Sequence, residues 1–141
     1  MTITVQRAVE GAPSPARLRA WARSALGRAS GDVTVRIVGP AESRRLNRRY
    51  RKKDKPTNVL SFPYDDPGVL GDIVICAAVV NREAREQGKR PAAHWAHMVV
   101  HGALHLLGFD HIEPTDAIVM ERRERAILAR LSFSDPYRPP S

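Results

Sequence analysis

The sequence predicts a single α+β domain in which a mixed sheet of about four strands packs with about five helices. Strand-like and helix-like segments alternate through short connections, without an internal repeat or a low-complexity linker. A chain of 141 residues is long enough for one hydrophobic core and too short for two ordinary domains. Its 43% hydrophobic and 27% charged residues are typical of globular proteins. We therefore expect one domain over residues 1–141, with residues 132–141 as a flexible tail.

The first part of the chain contains two strand patterns with a helix pattern between them. Apolar and polar residues alternate in Ile3–Gln6 and in Asp32–Val38, and the second segment is rich in β-branched residues, so both are predicted strands. Ser14 followed by Pro15 is typical of the first residues of a helix, and apolar residues share one face of this helix as far as Leu26.

The middle of the chain continues with a helix, a turn and a strand. The helix is predicted over Pro40–Tyr50, with Leu46 and Tyr50 as its apolar anchors. The turn KKDKP follows, because the residue before its proline is disfavoured in helical geometry. Thr57–Phe62 then has the composition of a strand, which we expect Pro63 to end.

A turn, a strand and three helices complete the predicted fold. The turn is Asp-Asp-Pro-Gly at residues 65–68, and the strand is Gly71–Cys76. Helices are predicted over Ala77–Gln87, Pro91–Leu107 and Pro114–Leu131, of which the first two end before a glycine.

The apolar segments are too short for a membrane span. The longest runs, such as IVICAAVV, fall far below the roughly 20 apolar residues that a transmembrane helix requires. The N-terminus has no basic region followed by an apolar block, so we expect no signal peptide. The single cysteine, Cys76, cannot form an internal disulfide, which suits a reducing compartment. We therefore expect a cytoplasmic protein that does not associate with membranes.

The chain is strongly basic, and its cations are concentrated in one segment. The net charge is +8 with a pI near 10.5, which favours a polyanionic partner such as nucleic acid. Between residues 44 and 55 there is one acid, Asp54, against eight cations. A solvated basic helix is one interpretation, but we favour a surface that contacts RNA phosphates. The eight cations, called the basic stretch below, are Arg44, Arg45, Arg48, Arg49, Arg51, Lys52, Lys53 and Lys55.

The segment HGALHLLGFDH has the H-x-x-x-H-x-x-G-x-x-H frame of a zincin-like metal helix. His101 and His105 lie one turn apart on the same face of a helix, so they can share a metal ion. Gly108 allows the chain to turn back, which brings His111 to the same ion. The frame lacks the glutamate that metalloproteases use as a general base, because Gly102 stands at that position.

We predict one zinc ion per chain, held by His101, His105 and His111. Three neutral imidazoles leave a fourth position open, which is typical of a catalytic zinc site, although nickel or cobalt can also bind such a set. The other two histidines, His94 and His97, are not predicted ligands. His97 is about 12 Å along the helix axis from His105, too far for one ion. For both we expect helix packing or a hydrogen bond to a ligand.

Further segments accompany the histidine motif: YRKKDKPTNVLSFPYD, LGDIVICAAVV, AHWAHMVVHG and a DPY near the C-terminus. In this combination, from about Val33 to Tyr137, they resemble the YbeY family of bacterial rRNA maturation factors. The resemblance implies an α+β protein that binds zinc through the three histidines and acts as an endoribonuclease on single-stranded RNA. The implied role is rRNA processing, notably at the 3′ end of 16S rRNA, and ribosome quality control, with the small ribosomal subunit and its proteins as partners. In the motif Y-R-x-x-D-x-P-T, the family's functionally important arginine corresponds to Arg51.

The leading hypothesis is a zinc-dependent endoribonuclease in which Arg51 holds the scissile phosphate beside the metal. Arginine pairs with two phosphate oxygens at once, so zinc with an arginine suits a phosphodiester better than a peptide. The alternative is a ribosome assembly factor whose zinc is mainly structural and whose nuclease activity is slight. A metalloprotease is a third hypothesis, which Gly102 and the basic stretch oppose.

Overall fold

The structure, a computed structural model, describes residues 1–138 and has the predicted architecture. A four-stranded mixed sheet is combined with five α-helices, which confirms the α+β fold expected from the sequence. Among the described residues, every helix is too short or too polar to cross a bilayer. In chain order the elements are β1 (Ile3–Arg7), α1 (Pro15–Leu26), β2 (Asp32–Val38), α2 (Pro40–Arg51), β3 (Val59–Asp66), β4 (Val69–Cys76), α3 (Ala77–Glu86), α4 (Pro91–Leu106) and α5 (Pro114–Arg130).

The sheet has the strand order β1-β2-β4-β3. Strands β1 and β2 run parallel, as do β2 and β4, whereas β3 pairs with β4 in an antiparallel hairpin. Helix α4 contacts β3, β4 and the helices α1, α3 and α5, so it lies at the centre of the fold. Because it is enclosed in this way, most of its side chains are buried. Side chains at its C-terminal end are therefore attached to a backbone that is fixed by core packing.

Strand β3 extends further than the sequence indicates. We expected Pro63 to end it, yet β3 continues to Asp66, and Pro63 pairs with Gly71 of β4. Proline has no N–H to donate to a neighbouring strand. It is accommodated here because β3 is an edge strand, with β4 as its one neighbouring strand within residues 1–138.

Helix α4 ends where the sequence places a glycine. Its last residue is Leu106, and Gly108 adopts a φ of +98°, a conformation that glycine reaches without steric cost. The amide of Gly108 donates to the carbonyl oxygen of His105 at 3.0 Å. The chain therefore reverses direction just after the helix, and His111 lies in the loop that follows.

Residues 132–138 differ from the flexible tail that we expected. Phe133 packs edge-on against Trp21, with ring centroids 5.9 Å apart, and lies against the core cluster. Lys89 Nζ donates a hydrogen bond of 2.9 Å to the carbonyl oxygen of Pro136. The segment is held because its residues find both apolar and polar partners on the domain. Residues 139–141 lie outside the described residues, and for them the tail stays a prediction.

Candidate metal centre and its cleft

Three histidines converge at the C-terminal end of α4. His101 and His105 lie on its last turns, and their Nε2 atoms are 3.2 Å apart. His111 brings its ring centroid within 5.2 Å of that of His101 and 5.1 Å of that of His105. One ring nitrogen of each residue lies within 4.8 Å of the other two. The structure thus brings together the three ligands that the sequence predicts.

This set of nitrogens fits a transition-metal ion such as zinc. In a tetrahedral site with Zn–N bonds of about 2.0–2.1 Å, two ligand nitrogens are about 3.3 Å apart, close to the separation of His101 and His105. Burial, followed by the charges of His101 and His111, lowers the pKa of His105. The lowered pKa favours the neutral imidazole, which is the form that binds a metal.

A buried carboxylate lies behind the histidines. Glu124 of α5 has no exposed surface, and its Oε2 lies 3.2 Å from His101 Nδ1 and 2.5 Å from His97 Nε2. Its Oε1 accepts a hydrogen bond of 2.6 Å from the hydroxyl of Tyr137. With Nδ1–H of His101 donating to Glu124, the lone pair of His101 Nε2 faces His105. This is the tautomer and the orientation that a ligand needs.

The same network keeps Glu124 ionised. Burial opposes the charge, but hydrogen bonds from His101 and His97 outweigh burial and lower the pKa of the carboxyl to about 2. Burial and the hydrogen bond to this carboxylate raise the pKa of Tyr137, so its hydroxyl stays a donor. Three donors therefore satisfy a carboxylate that has no contact with solvent, as a buried charge requires.

Reasoning from the sequence missed Glu124 and Tyr137. A signal for Glu124 is nevertheless present in α5, where a glutamate occupies one position of an otherwise apolar helical stripe. Glutamate is rarely buried unless it is paired, so such a position indicates partners elsewhere in the chain. The stripe consists of Met120, Glu124, Ile127 and Leu128.

His97, His101 and Glu124 form a second group whose atoms lie close enough to hold a metal ion. We interpret this group as a hydrogen-bonded network. The 2.5 Å between His97 Nε2 and Glu124 Oε2 suits a charge-assisted hydrogen bond and is shorter than the about 3.3 Å between two ligands of one zinc ion. His94 makes a similar hydrogen bond of 2.9 Å to Glu83, outside both groups.

The three histidines face a cleft of about 770 Å³. Arg51, the last residue of α2, lines the same cleft, so the predicted catalytic arginine and the predicted metal ligands share one space. Strand β3 supplies another part of the wall through residues 59–63. Four aromatic side chains also line the cleft: Tyr50, Phe62, Phe109 and Tyr137.

The basic stretch is divided between the cleft and the outer surface. Among the residues that the structure describes, Arg51 is its one member that lines the cleft. Arg44 pairs with Asp54 through two hydrogen bonds of 2.7 and 2.9 Å, which lower the pKa of the Asp54 carboxyl and balance part of the charge. Contact of these cations with RNA stays a prediction. The remaining members are exposed: Arg45, Arg48, Arg49, Lys52, Lys53 and Lys55.

The packing of α4 against the sheet explains the glycine at position 102. A Cβ atom on Gly102 would lie 2.7 Å from Cγ2 of Ile73 and 3.1 Å from Cγ2 of Val59. Ser61 holds the two elements together by donating a hydrogen bond of 2.9 Å from Oγ to the carbonyl oxygen of Gly102. The position that carries the general base in metalloproteases therefore faces the sheet here and has no room for a side chain.

Replacing Gly102 by Ala is expected to destabilise the domain by about 1–3 kcal/mol, as overpacking of a core does. The clashing methyl of Ile73 is attached directly to a stiff Cβ, so the strand must move, and this outweighs the better helix propensity of alanine. Urea unfolding measures the change. Gly68→Ala is the control, because its new Cβ would meet nothing closer than 3.4 Å. Equal stability of the two variants would show that α4 is not closely packed at this point.

The chain is similar to known proteins over nearly its whole length. The sequence model of a family described as endoribonuclease YbeY matches residues 8–132. A protein named endoribonuclease YbeY from Pseudomonas putida is 53% identical, over 97% of this chain and 93% of its own length. One of the same name from Methylococcus capsulatus is 55% identical, over 96% and 95%. The solution structure of TM1509 from Thermotoga maritima has a TM-score of 0.63 and 25% identity, covering 97% of this chain and 99% of that one.

Proposed function

Because the chain belongs to the endoribonuclease YbeY family, we propose that it is a metal-dependent endoribonuclease that cleaves single-stranded RNA. The observation that carries this proposal is the common cleft of one arginine and three convergent histidines. A metal centre beside an arginine suits a phosphodiester, whose negative charge must be neutralised as it reacts. Cleavage of a peptide would instead need a general base, and the packing at Gly102 opposes a side chain there.

The histidines are proposed to bind one zinc ion, with nickel or cobalt as substitutes. When bound, the ion supplies Lewis-acid chemistry that stabilises negative charge on the phosphate. Glu124 holds the ring of His101 through Nδ1, so Nε2 is the nitrogen of His101 that would bind the ion. His105 is fixed by the last turn of α4, whose neighbouring residues are packed in the core. Two of the three ligands are thereby oriented before the ion arrives.

Arg51 is proposed to bind the scissile phosphate. A guanidinium stays protonated and offers two parallel N–H donors to two phosphate oxygens. Arg51 is exposed, and within residues 1–138 it makes no ion pair with a carboxylate, so its charge is available to a ligand. Its contact strengthens as the phosphate gains charge in the transition state, and this is what accelerates a reaction.

Removing the metal by chelation is expected to abolish RNA cleavage and to leave the fold intact. The histidines lie beside a core that many apolar residues form, and a domain of this length does not need a metal ion to fold. Cleavage of a labelled single-stranded rRNA fragment and circular dichroism are measured before chelation, after it, and after zinc is returned. Loss of the helical signal on chelation would favour the alternative, an assembly factor with a mainly structural zinc.

Within this activity, we propose ribosomal RNA as the substrate. The proposed roles are maturation of the 3′ end of 16S rRNA and ribosome quality control in the cytoplasm, with the small ribosomal subunit and its proteins as partners. The motif resemblance supports this assignment, and the names of the relatives support the endoribonuclease activity on which it depends. The test is incubation of the metal-loaded protein with small subunits that carry precursor 16S rRNA. Mapping of the RNA ends should reveal shortening at the 3′ end, and unchanged ends would refute the assignment.

The basic stretch is expected to bind the RNA backbone in a salt-sensitive way. Cations that contact phosphates release counterions, so affinity should fall steeply as the salt concentration rises. Arg48→Glu combined with Arg49→Glu should weaken binding of unrelated single-stranded sequences to the same degree. Fluorescence anisotropy at several salt concentrations measures both effects. The control is Arg19→Glu with Arg23→Glu, the same charge change at exposed positions of α1, which should have a smaller effect. Salt-insensitive binding would argue against phosphate contacts.

A further inference from the structure

Two aromatic side chains form a wall of the cleft next to Arg51. Tyr50 precedes Arg51 at the end of α2, and Phe62 lies on β3. Their ring centroids are 5.1 Å apart at an interplanar angle of 65°. The pair, called the aromatic wall below, lines the same cleft as the histidines. Tyr50 remains 56% exposed despite its contact with Phe62, so much of its ring is accessible to a ligand.

Residues of α2 other than Tyr50 attach this helix to the domain, among them Leu46, which packs against the core. Two buried polar residues also attach it: Ser43 Oγ donates to the carbonyl oxygen of Thr57, and Asn47 Nδ2 donates to that of Lys55. Large apolar surface that stays exposed in a cleft is typical of a binding site. Neither the metal centre nor the phosphate contact of Arg51 makes use of this surface.

Two polar side chains that line the same cleft are already engaged within the protein. Asn58 Oδ1 accepts from the amide of Val59 at 2.6 Å, and Asn58 Nδ2 donates to the carboxylate of Glu83. Ser61 Oγ donates to the carbonyl oxygen of Gly102. A ligand at the wall therefore meets ring faces more than unused side-chain hydrogen-bonding groups. Ring faces bind nucleobases by stacking and do so with little regard to sequence.

We propose that the aromatic wall is a nucleobase-binding subsite, in which a base of the RNA strand stacks beside the phosphate held by Arg51. The inference rests on the proposed function and deepens it, because only an unpaired strand can present the face of a base to an aromatic ring. Tyr50 and Arg51 are consecutive residues at the end of α2 and line the same cleft, so one strand bound there can contact both. The guanidinium of Arg49 lies 5.4 Å from the centroid of Tyr50 and adds a cation to this subsite.

A double-mutant cycle between the protein and the strand tests the subsite. The metal-loaded wild type and Tyr50→Ala are each titrated with a single-stranded 2′-O-methyl oligonucleotide, either complete or lacking one base at each position in turn. Removal of the stacked base should weaken binding to the wild type about 5- to 150-fold and should barely affect Tyr50→Ala. Tyr64→Ala is the matched control, because this tyrosine of β3 is 51% exposed and lies outside the cleft lining. It should behave like the wild type.

Phe62→Ala should reduce the same coupling between the protein and the base. The subsite would be overturned if every abasic position lowered the affinity of the wild type and of Tyr50→Ala equally. It would also be overturned if the wild type did not bind the oligonucleotide. Cleavage of unmodified RNA is measured separately, so that the two proposals can fail independently. A protein that cleaves RNA without base coupling keeps its function and loses the subsite. One that shows the coupling without cleavage keeps the subsite and loses the nuclease assignment.

Discussion

His105→Ala is expected to lose its metal ion and all measurable cleavage of single-stranded RNA. His105 Nε2 lies 3.2 Å from its counterpart on His101, and its removal leaves two ligands, one of them on an exposed loop. Altering a residue that only supports a ligand weakens metal binding by about 10- to 100-fold, so loss of a ligand itself should have a larger effect. Elemental analysis of the purified variant and a cleavage assay with a labelled strand measure the two losses.

His94→Gln is the matched control for this variant. His94 lies on the same helix and binds Glu83, outside both groups of potential metal ligands, and glutamine can still donate a hydrogen bond to that carboxylate. The control should therefore keep one metal ion per chain. If His105→Ala retained its full metal content, the ion would have to be assigned to His97, His101 and Glu124 instead.

Arg51→Ala should keep the metal ion and lose cleavage by about 10²- to 10³-fold. This is the loss, about 2.7–4 kcal/mol, that follows removal of one donor to a developing oxyanion. The metal should remain because a guanidinium cannot coordinate it. Arg51→Lys should recover part of the rate, since a point charge attracts the phosphate but cannot form two parallel hydrogen bonds. Single-turnover cleavage at saturating protein isolates the chemical step from binding.

Arg45→Ala is the control for Arg51→Ala. Arg45 is an exposed cation of the same helix but lies outside the cleft lining, so its loss should weaken binding slightly and leave the cleavage step unchanged. If Arg51→Ala cleaved RNA at the wild-type rate, this arginine would have no part in the mechanism, and the metal centre would have to act without it.

Much of the fold could be predicted because several local signals agree. Ser14 does cap α1, as its Oγ accepts from the amide of Arg17 at 3.3 Å, and the helix spans Pro15–Leu26 as expected. Strand β2 occupies Asp32–Val38, the segment that alternation and β-branching indicate. The histidine spacing was informative for the same reason, because the helical repeat and Gly108 are properties of a short segment. Each of these features depends on about a dozen consecutive residues, so it can be recognised from the sequence of that segment alone.

The features that sequence reasoning missed depend on contacts between distant segments. Glu124 is 27 residues from His97, and Tyr137 is 13 residues from Glu124, so no local pattern links the three. Pro63 remains within β3 because, among residues 1–138, β4 is the one strand that pairs with it, and this depends on the strand order. The prediction that Tyr50 anchors α2 was wrong, since this residue lines the cleft and is 56% exposed. In each case the environment of the residue depends on the tertiary arrangement. That arrangement cannot be inferred from the residue's own segment of sequence.

The loop position of His111 would set how readily the proposed centre exchanges a bound ion. The other two ligands belong to a helix enclosed by the core, whereas residues 110–113 are exposed and form no helix or strand. Each backbone residue that is ordered on binding costs about 1–2 kcal/mol of conformational entropy, and this free energy is regained when the loop is released. Of the three residues that would hold an ion, we expect His111 to be the first to release it, because it is the one that lies in an exposed loop. The residence time of a bound metal would then depend on the freedom of a short loop, and it could change while the domain itself stays equally stable.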